Sequence, residues 1–298
     1  MFSQSLMHRF DQNATALAES MIRKVAPSAF AETPAADRSD RYAFIKTIDI
    51  IHGMEQQGFQ VVRAVEARTR VEERRGFTKH MIVFRHRDHM GYAPMRALRR
   101  MPEIILINSH DGSSSYQLHA GLIETICSNG LIVADELFAT VRVQHTGRIL
   151  DAVLDGADHV MHSLPGILGT AEQWSSLALT QPLRLAFADA AADLRWEEAQ
   201  RPVTPEQLLT PHRHDDTQPN LWKTFNVVQE NILRGGLKGT SPTSGRQART
   251  REVSSVNEHV RTNKALWRLA GEMARLMGVA SPVQPQGQII DVEAEVIA

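Results

Sequence analysis

Residues 59–87 read FQVVRAVEARTRVEERRGFTKHMIVFRHR. Two runs rich in Val, Ile, Phe and Thr, Phe59 to Val71 and Phe77 to Arg87, flank the charged connection Glu72-Glu73-Arg74-Arg75-Gly76. β-branched and aromatic side chains suit a pleated surface, and a short polar segment ending in glycine between two such runs predicts a hairpin. Successive side chains of a strand point to opposite faces. Val61, Val65, Ala67, Thr69 and Val71 are therefore expected on one face, and Glu66, Arg68 and Arg70 on the other.

Working outward, Thr47 is placed to cap a helix running to about Gln57, with Ile48, Ile51 and Met54 on its buried side and Gly58 closing it. After the hairpin, Glu103 to Ile107 is nearly all apolar and reads as a central third strand. A polar loop, Asn108 to Ser115, follows. Leu118, Leu122 and Ile126 then predict a helix ending at Asn129-Gly130. Leu131 to Val133 and Thr140 to Gln144 read as extended, and Ile149 to Ser163 as helical. The remainder is helical over Glu172 to Ala190, Leu221 to Leu233 and Val256 to Met277, with a Pro- and His-rich break from Arg201 to Pro219.

This order predicts an α+β fold: a small antiparallel sheet with a basic hairpin covered by helices, followed by a mostly helical C-terminal part. Four regions are expected. Residues 1–40 hold an amphipathic helix, marked by Leu6, Phe10, Ala14, Leu17 and Met21, and a mobile connection; residues 41–163 form the α+β core. Residues 164–278 form the helical region. Within it, residues 234–255 are rich in Gly, Ser, Thr and Arg and poor in apolar side chains, which predicts a flexible basic loop. Residues 279–298 are a tail expected to fray.

With 298 residues and 42% apolar positions, the chain can bury a core in one or two domains. No run approaches the roughly 18 apolar residues of a membrane span, and the first residues alternate polar and apolar, so a cytoplasmic protein with no membrane partner is expected. The one cysteine, Cys127, excludes an intramolecular disulfide and a cysteine-rich zinc module, and reads as a small buried side chain.

The formal net charge of -1 conceals an uneven distribution. Residues 61–100 carry eleven Lys or Arg against four acids, a net +7, and residues 234–268 carry eight against two, a net +6. Two basic tracts thus sit in an acidic background, and local charge steers polyanions whatever the total. In the first tract the arginines accompany Phe77, Phe84 and Tyr92, aromatics able to stack on bases.

Catalytic patterns are weak by comparison. The loop Asn108 to Ser115 has neither the Lys of a P-loop nor the glycine spacing of a nucleotide fingerprint, and no cofactor is called for. Between a strand and a helix it would serve either as ordinary capping by Asp111 or Ser113, or as a seat for a phosphate against backbone N–H groups. Among thirteen histidines, His86-Arg87-Asp88-His89 and His212-Arg213-His214-Asp215-Asp216 are the densest groups. Both are interleaved with arginine, which repels a cation, and neither has the helical pair of a metalloprotease, so no metal ligands are assigned.

Six stretches carry a family resemblance: Tyr42-Ala43-Phe44-Ile45-Lys46-Thr47, Arg75-Gly76-Phe77-Thr78-Lys79-His80, Phe84-Arg85-His86-Arg87, Asn108-Ser109-His110-Asp111-Gly112-Ser113-Ser114, Cys127-Ser128-Asn129-Gly130-Leu131 and Gln229-Glu230-Asn231-Ile232-Leu233-Arg234-Gly235-Gly236. Together, over about Tyr42 to Met277, they resemble the plasmid and prophage domain of unknown function 932. That resemblance implies a home on phages, prophages and conjugative plasmids and supplies no catalytic residues. The local order of helix, basic hairpin, third strand and helix is also similar in architecture to single-strand annealing recombinases of the phage beta-protein type.

The function these features point to is nucleic-acid binding on mobile elements, with ATP-independent binding and annealing of single-stranded DNA. The candidate contacts are Arg63, Arg68, Arg70, Arg74, Arg75, Lys79, Arg85, Arg87, Arg99 and Arg100 in the first tract, and Lys238, Arg246, Arg249 and Arg251 in the second. Asn108, Ser113 and Ser114 are candidate phosphate contacts. A homo-oligomer is implied by the recombinase resemblance. Two other classes stay open: a metal-assisted nuclease using His and Asp near Asn108 to Asp111, and an interaction protein that blocks a host defence.

Overall fold

A computed structural model of the chain describes residues 16–38, 42, 44–89, 100–124, 130–133, 140–143, 149–279 and 290–292. The fold is α+β. The hairpin forms as its composition predicts, with β1 (Phe59–Glu66) antiparallel to β2 (His80–His86). Its strands are shorter than the extended runs, because residues 67–79 make the connection through a short 3-10 turn at Glu72–Arg74. β3 (Arg100–Asn108) pairs with β2 as the expected central strand.

The first departure comes next. Tyr116–Glu124 is not a helix but strand β4, antiparallel to β3. The spacing of Leu118 and Leu122 satisfies both periods, since positions four apart share a face in a helix and in a strand. Ala120 and Tyr116 lie on the same face and are fully buried. Alternation was the deciding period.

β5 (Gly130–Val133) and β6 (Thr140–Val143) then share the far edge of β4, pairing with its C-terminal and N-terminal halves. A further strand near the C-terminus, Ile290–Val292, joins parallel to β6 and completes a seven-stranded sheet. That segment falls in the tail expected to fray; its order comes from backbone pairing at a sheet edge.

A bulge at Val62 revises the expected faces. Val61 pairs with Phe84 but Arg63 pairs with Val83, so one extra residue of β1 interrupts the alternation. Val61 consequently lies in the main core, whereas Val65 packs in a separate cluster with Met81, Val83, Ile105 and Ile107. Ile82, Phe84, Ile104, Leu106, Leu118 and Leu122 form the main face of the sheet, each burying on the order of 1.5 to 3 kcal/mol of apolar surface. Helices α1 (Glu19–Val25), α2 (Thr47–Gln56) and α3 (Ile149–Ser176) cover it, through residues such as Ile22, Ile51, Met54, Val153 and Val160.

The C-terminal part is helical as expected: α4 (Gln181–Asp193), α5 (Pro205–Leu208), α6 (Leu221–Arg234) and α7 (Val256–Leu276). The boundary expected after Ser163 falls inside α3, which continues through Pro165 to Ser176. Trp174 at the end of α3 then meets Trp222 and Phe225 of α6 and Trp267 of α7, with ring centroids 4.4 to 6.4 Å apart. One hydrophobic core therefore runs through both parts.

Residues 234–255 also depart from expectation. They carry a two-stranded hairpin, β7 (Lys238–Thr240) and β8 (Gln247–Arg249); the terminal strand Ile290–Val292 is accordingly β9. Little apolar surface is involved. Order comes instead from hydrogen bonds to neighbouring backbone: Thr240 N–H to Pro202 O (2.9 Å), the Gln207 amide to Lys238 O (2.9 Å) and Arg195 to Arg251 O (2.6 Å). Gly235 turns with φ of 65°, and a Cβ there would come within 2.6 Å of the Arg251 backbone. Only glycine fits that approach.

The second face of the sheet is covered by the start of α7, with Val256 in its small apolar cluster. His259 of α7 is fully enclosed, and burial, reinforced by the Arg63 guanidinium, pushes its imidazole down to about 3. The native state thus refuses a proton that the unfolded chain accepts below about pH 6.5. Stability contributed by keeping His259 neutral is complete above that pH and is lost as pH falls toward 3, at about 1.4 kcal/mol per pH unit. Urea unfolding at pH 7 and pH 5 should show this loss, and His259→Gln should remove one proton's worth of the slope; an unchanged slope would mean that the ring is already protonated in the fold.

Candidate functional site

The connection 67–79, the end of β3 and the start of β4 meet at one end of the sheet. His110 N–H donates to Phe77 O (2.9 Å), joining the connection to the segment after β3, and Ala35 N–H donates to His110 O (3.1 Å), bringing in the segment that precedes α2. The floor of this region is a buried polar cluster. Thr47 Oγ1 lies 2.9 Å from His80 Nε2, 3.1 Å from His110 Nε2 and 3.2 Å from Asn108 Nδ2. Thr47, His80, Asn108 and His110 are all inaccessible to solvent.

Donor direction follows from the partners. His80 Nδ1 faces the Thr78 carbonyl at 3.0 Å and must carry the hydrogen there. In a neutral ring Nε2 is then an acceptor, so the Thr47 hydroxyl donates to His80. Its oxygen in turn accepts from Asn108 and from His110 Nε2–H. Thr47, expected as a helix cap, is instead the first residue of α2, and its side chain ties that helix to β2 and β3. No caps are left to explain it. Thr47→Val keeps the shape but deprives buried polar groups of their partner, which should cost about 1 to 3 kcal/mol in urea unfolding, with Thr47→Ser close to the parent. A Val variant as stable as the parent would show the cluster to be energetically idle.

Above the floor runs the loop 108–115. Since β4 replaces the expected helix, the loop joins two strands and presents no helix N-terminus to an anion. Ser109 Oγ accepts from Ser114 N–H at 2.8 Å and from the Ser113 hydroxyl at 3.2 Å. Asp111 Oδ1 accepts from Ser113 N–H at 3.0 Å. Burial alone would raise the Asp111 carboxyl, but hydrogen bonds from Ser113 and Ser109 and the Arg74 guanidinium together hold it below the usual range. Of the three candidate phosphate contacts, Asn108 and Ser114 are buried and committed, and Ser113 alone is exposed.

Gly112, with φ of 73°, carries the Arg38 side chain directly against its Cα, where any Cβ would collide with the guanidinium. Arg38, in a stretch whose composition predicts a mobile connection, pairs with Asp37 at 2.6 Å and adds a cation beside this loop. The chain signal for it was Gly112 itself, though nothing local says which side chain it admits.

The candidate basic residues divide sharply. Arg68, Arg70, Arg74 and Arg75 are exposed on the connection, with Arg75 paired to Glu72 at 2.7 Å, and Lys79 is half-buried and donates to Asn257 Oδ1 at 2.7 Å. Arg87 is exposed too, but at the opposite end of β2, where its backbone N–H bonds Gly58 O. Lys238, Arg246, Arg249 and Arg251 are exposed on the separate β7–β8 hairpin. Arg100 starts β3, while Arg99, with Tyr92, lies outside the described residues, as does Cys127.

Arg63 and Arg85 are not surface contacts. Both are buried on the second face of the sheet, and Arg85 forms two bonds to Glu103 Oε1, at 2.6 and 3.2 Å. Burial brings the Arg63 guanidinium down to about 10 against the pull of Glu103 and Glu252, and burial pushes the Glu103 carboxyl up against the pull of Arg85 and Arg63. Glu103, a lone acid opening an apolar central strand, was the available signal that a cation waits on a neighbouring strand. Phe84 is fully buried as well, which removes it from base stacking and leaves the half-buried Phe77.

For the nuclease reading, the His110 ring is turned into the floor and Asp111 serves Ser113. Among the described residues no three His, Cys, Asp or Glu side chains gather as a metal-binding group. Nor, among those residues, is any helix long and apolar enough to cross a membrane.

The family model described as domain of unknown function, DUF932, matches residues 34–267. The chain belongs to the DUF932 family. The matched span of this DUF932 protein takes in the Thr47 cluster, the basic connection, the loop 108–115 and most of α7. Two relatives from Escherichia coli K-12 are similar over 247 residues: the UPF0380 protein YfjQ at 38% identity and the UPF0380 protein YafZ at 39%. Each alignment covers 83% of this chain and 88% of the relative. No solved structure matches, so the architectural likeness to annealing recombinases has no structural counterpart.

Proposed function

We propose that this DUF932 protein binds nucleic acid, single-stranded DNA foremost, at the end of the sheet formed by residues 67–79 and 108–115. The observation that carries the reading is the set of four arginines, Arg68, Arg70, Arg74 and Arg75, exposed together on one connection. Arg38 and Lys79 extend the same positive end. Phosphate recognition needs cations held by a rigid scaffold. The Thr47, His80 and His110 cluster supplies that rigidity directly beneath.

A partner read through its backbone requires no ATP and no metal. Annealing of complementary strands is the activity such a surface supports, because stacking and phosphate contacts leave base edges available. The test is a gel shift with single- and double-stranded oligonucleotides over a salt series. Each neutralised phosphate on a single strand contributes about -0.7 to the slope of log K against log salt, so four arginines predict a slope near -3. Salt-independent binding, or none, would reject the reading.

A further inference from the structure

The second basic tract contains a feature that neither the hairpin nor the loop accounts for. Asn257, Arg261, Lys264 and Arg268 recur at intervals of four, three and four along α7. At about 100° per residue these positions fall within an arc of roughly 60°. They lie opposite the buried side of the helix, which carries His259, Thr262, Leu266 and Ala270. Asn257, Arg261 and Arg268 are exposed and Lys264 is half-buried.

The stripe begins where the proposed site ends, since Asn257 is the residue that accepts from Lys79 Nζ. The flanking acid Glu258 is drawn toward Arg195, and farther along Glu272 pairs with Arg275 at 2.8 Å. A charged helix face is ordinarily a solvated one with both signs interspersed. Here the three charged positions of the arc, Arg261, Lys264 and Arg268, are all cations over about two turns, and Asn257 joins them to a second basic element. From Asn257 to Arg268 the rise is about 16 Å, the length of up to about five phosphates at the spacing of one strand.

We infer that α7 is a track along which a single nucleic-acid strand leaves the basic connection, passing Lys79 and then following Arg261, Lys264 and Arg268. The inference rests on the nucleic-acid reading and extends it to a directional, length-dependent footprint. Fluorescence anisotropy on the full chain, with short (about 6-nucleotide) and long (about 20-nucleotide) oligothymidylates, tests it. Replacing Arg261 and Arg268 with alanine should remove two phosphate contacts from the long strand. The slope should fall by about 1.4 and affinity at 0.1 M salt by about 25-fold, while the short strand is bound as before.

A lysine pair at the same positions should bind the long strand like the parent, separating lost charge from lost packing. Equal long-strand slopes for parent and alanine pair, in protein with an unchanged melting curve, would overturn the track and leave the connection as the site. A parent protein that binds neither oligonucleotide would overturn both.

Discussion

Replacing Glu103 with alanine is expected to cost about 3 to 5 kcal/mol, because it strands the Arg85 guanidinium in the interior without its partner. Arg85 and Glu103 are each 2% exposed by side chain and lie 2.6 Å apart. Arg63 approaches from the neighbouring strand, so two cations would share the vacated site. The complementary double variant, Arg85→Met with Glu103→Leu, should be near the parent or more stable, since it removes both desolvation penalties together. Chemical unfolding of the three proteins decides the matter. A Glu103→Ala variant within 1 kcal/mol of the parent would show that water reaches this face of the sheet.

Charge reversal of Arg68 and Arg70 should have the largest effect on binding. The two arginines follow β1, exposed and two residues apart. For a short strand confined to the connection, changing both to glutamate removes two of four contacts, taking the salt slope from near -3 to near -1.4 and weakening binding at 0.1 M salt by at least about 25-fold. Reversal of Asp151 and Asp155, exposed on α3, should change neither quantity. Unaltered affinity and salt dependence in a folded Arg68→Glu, Arg70→Glu protein would reduce the connection to a solvated surface. The contrast with Arg63 and Arg85 is part of this expectation: those two arginines belong to the stability of the sheet, and their loss should be read by unfolding.

The two sets of arginines look alike in the sequence. Arg63, Arg68, Arg70 and Arg85 all occur in runs favouring extended structure, and the period-two pattern assigns Arg68 and Arg70 to a face of their own. The bulge at Val62 moves Arg63 off Val61's face of the sheet and onto the second face, beside Glu103 and His259, and bulges leave no composition signal in a run of valines. Likewise, nothing near Thr47 indicates that residues 33 and 63 positions away will supply its partners.

What the sequence by itself determined was whatever depends on near neighbours. The hairpin around residues 72–76, the apolar third strand, the end of α2 at Gly58, and α6 and α7 all follow from side-chain period and turn chemistry within about a dozen residues. Family membership was also legible, in stretches such as Asn108 to Ser114. Tertiary structure alone decided the rest. Tyr116–Glu124 fits both periods and became a strand because β3 offered an unpaired row of backbone groups. Residues 238–249 gained order from the backbone of Pro202 and neighbouring residues, and not from apolar burial of their own. Which cations face water, and which are enclosed with Glu103, depends on pairings between strands about 20 residues apart. A local pattern fixes spacing along the chain, but a charge is buried or exposed only by what other segments lay over it.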